Sequence, residues 1–246
     1  MDALIKKFQK LRTEDTGKMF EMAICLAYKT PYDGTYKYEM ETPTALAPRL
    51  EKLTTLFPAC VHTARKGARY DFTATAAEAT TPVYLSAKTT KKGIGKVAPQ
   101  VIGQCQPQKL CEMLNIEYTD TIALKRYLQE NIVTVLPVLA EHTFDCPNVF
   151  YHQQKNTIQY ITLERPIAWE DYTYTWSRPW DKWRNSAILK VARTSMSTGT
   201  DTNVEEKAVP LMEFQFHSKS RTNVAIRWFY GNVLTQFKDA FTIVSL

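Results

Sequence analysis

The stretch PVYLSAKTT, residues 82–90, alternates with period two, so that Tyr84, Ser86 and Lys88 share one face of a strand while Val83, Leu85 and Ala87 share the other. The Val/Leu/Ala face suits a sheet packed on a core, and the Tyr/Ser/Lys face is polar enough to meet solvent or a ligand. Upstream, Gly67 breaks a basic tract (Arg65, Lys66, Arg69) just before a second strand led by Asp71, and TAAEATTP supplies a turn between the two. The segment therefore reads as a hairpin. If Asp71 faces the side of Ser86 and Lys88, a carboxylate and an ammonium meet at the exposed face of a short sheet.

Helical periods surround this hairpin. MDALIKKFQKL repeats Leu4, Phe8 and Leu11 as a short amphipathic helix that stops at RTEDTG. A second helix starts near Thr16, with Phe20, Ala23, Ile24, Ala27 and Tyr28 as its apolar stripe. Glu21 projects from the weakly polar flank of that stripe, either as an ordinary helix-flank glutamate or as a functional one. PRLEKLTTLF reads as a further helix, and YTDTIALKRYLQENIVTVLPVLAEHTF as one helix from about Asp120 to Asn131 followed by a mixed apolar core segment. NVFYHQQKNTIQYITLERP reads as two alternating strands turning at Gln154–Asn156.

The chain of 246 residues suffices for one large domain or a domain with an appended lobe. Thirty-one Lys and Arg against 25 Asp and Glu leave a formal charge of +6, which favours an anionic partner. Five widely spaced cysteines (Cys25, Cys60, Cys105, Cys111, Cys146) form no C-x-x-C pair, as expected for a reducing, cytoplasmic compartment. Four histidines (His62, His142, His152, His217) stand singly, so no zinc site is expected, and His142 and His152 near Cys146 read as surface histidines beside a buried thiol. No basic-then-apolar signal opens the sequence, so a leader is not expected. The longest apolar stretch, MAICLAY, falls far below the roughly 20 residues of a membrane span.

Asp71 followed by Ser86-Ala87-Lys88 resembles the active-site hairpin of the PD-(D/E)xK nucleases, the superfamily of many type II restriction endonucleases. Glu21 in GKMFEMAI is placed like the first-helix glutamate of that superfamily. SAKTTKKGIGKVAPQVIGQ, WRNSAILKV and LMEFQFHSKSRTNVAIRWFY also resemble restriction-enzyme sequence, so the similarity covers most of residues 17–237. It departs from the pattern twice: Tyr70 stands where proline often precedes the aspartate, and Ser86 where the superfamily has a metal-binding Asp or Glu. Glu21 is the expected substitute, with Glu78 in the turn as its rival.

The resemblance implies an α/β fold with a restriction-endonuclease-like core, a central mixed β-sheet flanked by helices. It implies a single domain over 1–246, with a catalytic core at about 14–165 and a C-terminal DNA-recognition part at about 166–246. It further implies sequence-specific, Mg²⁺-dependent cleavage of double-stranded DNA, with Mn²⁺ as a substitute. Asp71, Glu21 and the Ala87 carbonyl would hold the metal, Lys88 would orient the attacking water and stabilise transition-state charge, and Ser86 would bond a metal-bound water. A homodimer and a cognate DNA methyltransferase are expected partners. A repair or structure-specific nuclease of the same fold, or a non-catalytic DNA-binding protein, is the alternative.

The GIGK stretch is no Walker loop, because Thr90 replaces the first glycine and Val97 follows the lysine. Instead Pro99 is expected to open a helix with Gln100 and Gln104 one turn apart, Gln100 reaching the metal-site waters and Lys91, Lys92 and Lys96 lying along the DNA backbone. In WEDYTYTWSRPWDKWRNS, Tyr172, Tyr174 and Trp176 have period two and read either as base-stacking groups or as the buried face of a strand. Arg178, Lys182, Arg184 and Asn185 are candidates for DNA contact. MEFQFHSKSRTNVAIRW sets Glu213, Gln215 and His217 against Phe214 and Phe216, so Gln215, His217, Lys219, Arg221 and Arg227 either touch nucleic acid or edge a solvated strand.

Overall fold

The structure, a computed structural model, describes residues 13–64, 68–77, 81–91, 93, 95–193, 207–217 and 222–246. The expected N-terminal helix, the basic residues Arg65 and Lys66, and the candidates Glu78, Lys92, Lys219 and Arg221 lie outside them. Two compact units divide the chain. One takes the described residues of Met1–Val97 with Phe144–Glu164 and Asp239–Leu246, the other Ala98–Thr143 with Arg165–Lys238.

The first unit is built on a six-stranded mixed sheet. Strands β1 (Ala59–His62), β2 (Phe72–Thr75) and β3 (Val83–Thr90) form an antiparallel meander in which Phe72 pairs with Leu85. A two-residue strand, β4 (Lys96–Val97), follows the β3 end. Later in the chain β6 (Asn148–His152) runs parallel to β3, and β7 (Thr157–Leu163) and β12 (Phe241–Ser245) complete the order β1-β2-β3-β6-β7-β12.

Helix α1 (Thr13–Tyr28) packs on β1 and β3 of this sheet, and α2 (Glu41–Leu46) and α3 (Glu51–Leu56), with a 3-10 turn over Ala47–Leu50, pack against α1. Helix α1 begins three residues before the expected Thr16. It stops where Lys29 turns to φ 53° and the Thr30 N–H closes on the Cys25 carbonyl, a left-handed C-terminal cap. The alternation of the strands meets the 3.6 period of the helix in one core: Cys60, Phe72, Ala74, Leu85, Val149, Tyr151 and Ile158 from the sheet, Phe20, Ala23, Ile24 and Cys25 from α1. Val83 and Ala87 pack against the same cluster, as their face predicts. The other face is drier than expected, with Tyr84 45% exposed but Ser86 fully buried.

In the second unit β8 (Tyr172–Trp176), β9 (Ser186–Arg193), β10 (Val209–His217) and β11 (Asn223–Phe229) form an antiparallel sheet, and β5 (Gln104–Cys105) pairs with β11. Its helices are α4 (Pro107–Met113), α5 (Thr121–Glu130), α6 (Ile132–Phe144, ending in the first unit) and α7 (Tyr230–Gln236). Residues expected only as mixed apolar chain thus form helix α6, with Pro137 inside it. The helix expected at Pro99 does not form. Val101 takes φ 63°, and Gly103 turns so tightly that a Cβ there would stand 2.4 Å from the Pro99 carbonyl oxygen. Gln104 therefore enters a strand instead of sharing a helical face with Gln100. The five cysteines are free and buried. Against expectation, His142 and His152 are buried as well.

Candidate active site

The site grows from the β2–β3 pairing. Because Phe72 sits opposite Leu85, and the Asp71 N–H donates to the Leu85 carbonyl at 3.1 Å, Asp71 comes beside Ser86. There its Oδ2 accepts two bonds, from the Ser86 hydroxyl and from the Ala87 N–H, both at 2.8 Å. Two short donors fix one oxygen of the carboxylate.

Burial raises the Asp71 carboxyl above its ordinary value, outweighing the Lys88 charge, and the Glu21 charge raises it further. Asp71 therefore feels both expected partners, one cation and one like charge. Glu21 is not the half-solvated flank residue of the helical pattern. It is 6% exposed, and its Oε2 accepts from Lys18 Nζ at 3.0 Å and the Tyr32 hydroxyl at 3.2 Å, with His62 Nε2 also 3.2 Å away. Burial alone would raise the Glu21 carboxyl, but the His62 bond and the Lys18 charge bring it below the ordinary value. The two carboxylates are thus driven in opposite directions, the arrangement by which sites assign different protonation tasks to like groups.

His62, Tyr32 and Lys18 carried no signal of their own in the sequence. His62 reaches Glu21 because it follows the inward-facing Cys60 at period two on β1. Among the described residues no three His, Cys, Asp or Glu side chains gather as a metal-binding group. The oxygen donors at the site are the carboxylates of Asp71 and Glu21.

The other candidates distribute as follows. Lys91 is half-buried and Lys96 exposed; the 91–93 turn is tied to the β6–β7 turn through Gln154 N–H to Lys91 O, 3.2 Å, and Gly93 N–H to Gln154 Oε1, 3.0 Å. Gln100 belongs to the second unit, is 8% exposed, and gives its N–H to the His142 carbonyl. Arg178, Lys182, Arg184 and Asn185 are all exposed on the loop between β8 and β9. That loop is held from behind by α5, where Lys125 Nζ donates to the Trp183 carbonyl at 2.7 Å and Gln129 Nε2 to the Arg178 carbonyl at 2.8 Å. Trp183 is buried against Trp176, Phe214 and Phe216, while Tyr172, Tyr174 and Trp176 form the half-buried face of β8. These aromatics pack the second unit. On β10, Glu213, Gln215 and His217 alternate with buried Phe214 and Phe216, and Arg227 Nη1 donates to Gln215 Oε1 at 3.0 Å and Glu213 Oε2 at 3.2 Å.

Comparison with known proteins adds an independent finding. The chain is 36% identical over 239 residues, 96% of its own length, to the type II restriction enzyme CviAII of Paramecium bursaria Chlorella virus 1. The chain is similar to a restriction enzyme. It spans 64% of the length of CviAII. No family model matches it, and no solved structure matches it.

Proposed function

We propose that the chain is a type II restriction endonuclease of the PD-(D/E)xK superfamily, hydrolysing phosphodiester bonds of double-stranded DNA at a specific sequence. The observation that carries the reading is the β2–β3 hairpin that bonds Asp71 to the Ser86 hydroxyl and the Ala87 N–H, one residue before Lys88, in a chain similar over 96% of its length to CviAII.

The donor set fits Mg²⁺. Two carboxylates are what a hard cation that keeps much of its water shell requires, and Asp71, whose ionised form burial disfavours, gains from a cation beside it. Asp71 and Glu21, with the Ala87 carbonyl, would hold the ion, and Mn²⁺ would substitute. Bound there, it would polarise the scissile phosphate and acidify a water. Ser86 spends its hydroxyl proton on Asp71, so its part is to orient that carboxylate. Lys88 orients the attacking water and offsets charge developing on the phosphate oxygens.

Arg178, Lys182, Arg184 and Asn185 contact the DNA from a loop braced by α5, and Lys91 and Lys96 neutralise phosphates. Two copies act as a dimer on a two-fold symmetric site, and a cognate methyltransferase protects the same sequence. The test is digestion of plasmid DNA with Mg²⁺ and sequencing of the product ends. One recurrent sequence at every end is expected. Scattered ends would favour a repair or structure-specific nuclease, and binding without cleavage a non-catalytic DNA-binding protein.

A further inference from the structure

His62 is wedged between two partners that settle where its proton lies. The Asp33 backbone N–H donates to Nδ1 at 2.9 Å, so Nδ1 is an acceptor and the ring proton resides on Nε2, 3.2 Å from Glu21 Oε2. Nε2–H therefore donates to Glu21. The ring cannot readily turn away, since its side chain is wholly buried, lies nearly parallel to Tyr32 with centroids 4.3 Å apart, and meets Phe72 at 4.9 Å. Tyr32 adds its own hydroxyl to the same Oε2 at 3.2 Å. The remaining donor is of another kind: Lys18 reaches both Glu21 oxygens, at 3.0 and 3.3 Å, from a flexible stem whose side chain is 33% exposed.

His62 and Tyr32 thus converge on Oε2 of Glu21, which Lys18 also reaches at 3.0 Å, while Oε1 is met by Lys18 at 3.3 Å. We propose that His62 and Tyr32 are positioning residues that fix the Glu21 carboxylate through Oε2 and leave Oε1 for a divalent cation, Lys18 yielding when the cation arrives. The inference rests on the metal-dependent reading of the site given above. It assigns to β1 and to the segment after α1 a part in metal binding, since Asp33 locks the histidine tautomer and the histidine locks the glutamate. Donors of this outer kind orient metal ligands, and their loss typically weakens metal affinity by roughly 10–100-fold.

The experiment compares the parent protein with Glu21→Gln, Tyr32→Phe, His62→Phe and His62→Gln. Mn²⁺ binding is followed by the loss of the free-ion paramagnetic resonance signal, with thermal melting and metal-free DNA binding measured in parallel. Tyr32→Phe keeps the ring against His62 and removes only the hydroxyl, so it remains a test if His62→Phe fails to fold. Tyr32→Phe should weaken Mn²⁺ binding several-fold and His62→Phe roughly 10–100-fold. His62→Gln, which restores an N–H donor, should recover part of the loss, and metal-free DNA affinity should stay at the parent level in the Tyr32 and His62 variants. If Glu21→Gln, whose lost charge sets it apart from the others in metal-free DNA binding, weakens Mn²⁺ binding while Tyr32→Phe and both His62 variants bind as the parent does, the positioning role is wrong and the metal site survives. If Glu21→Gln itself binds Mn²⁺ like the parent, the metal assignment of Glu21 falls, and this inference falls with it.

Discussion

Asp71 and Glu21 are both carboxylates at the edge of one core, yet their surroundings set opposite signs on their contributions to stability. Asp71 is raised in the folded chain, so its favourable contribution exists below its ordinary value of 3.8 and is lost as pH rises through the raised value, above which its charge costs stability. Glu21 is lowered, so its contribution is present above its ordinary value of 4.5 and is lost as pH falls through the lowered one. In metal-free buffer above the raised Asp71 value, Asp71→Asn should therefore melt above the parent, and at neutral pH Glu21→Gln below it. Both differences should shrink toward acid pH. Asp71→Asn should nevertheless stop cleavage, the trade of stability against activity expected of a charge held for chemistry. Melting shifts of the same sign in the two variants would contradict this reading of the site.

At the scale of elements, α5 is the brace of the exposed basic loop. Asp120 caps it, accepting from the Ile122 and Ala123 N–H groups at 2.6 and 2.8 Å, and Lys125 carries the bond to the Trp183 carbonyl. Lys125→Met should leave the second unit folded but release the loop that bears Arg178, Lys182, Arg184 and Asn185. Ordering those side chains on binding would then weaken duplex-DNA affinity about tenfold. Titration of a labelled duplex checks this, and unchanged affinity would mean that the loop is no part of the interface.

The same elements show what periodicity carries and what it does not. Helix α1 was legible because it buries one face, and strand β3 because its apolar residues alternate, although Ser86 on the opposite face is buried too. Helix α6 was not, because Pro137 and a run of Ile and Val residues imitate irregular chain, and burial overrides those propensities. The 99–105 segment was misread because its turn depends on a positive φ at Val101 and on a contact that only Gly103 permits. Asp71, Ser86 and Lys88 could be read from one hairpin. His62 could not, since its partner Glu21 lies 41 residues away in the chain and only the packing of α1 on β1 joins them.

For the molecule as a whole, the proposal is that one unit, on a mixed sheet, cuts DNA while exposed basic groups of the chain hold it. The two duties separate by substitution. Lys88→Ala removes one ammonium from the β3 face and leaves Arg178, Lys182 and Arg184 in place, so binding to duplex DNA in Ca²⁺ should survive. Loss of about 3 kcal/mol of transition-state stabilisation would lower the rate roughly a hundredfold, far more than a half-buried strand substitution achieves through stability. The deciding measurement is the single-turnover cleavage rate of Lys88→Ala beside the parent, in Mg²⁺ and with protein in excess of DNA. A fall of about a hundredfold or more with intact Ca²⁺-supported binding is the predicted result; cleavage at the parent rate would contradict the assignment of this hairpin as the active site.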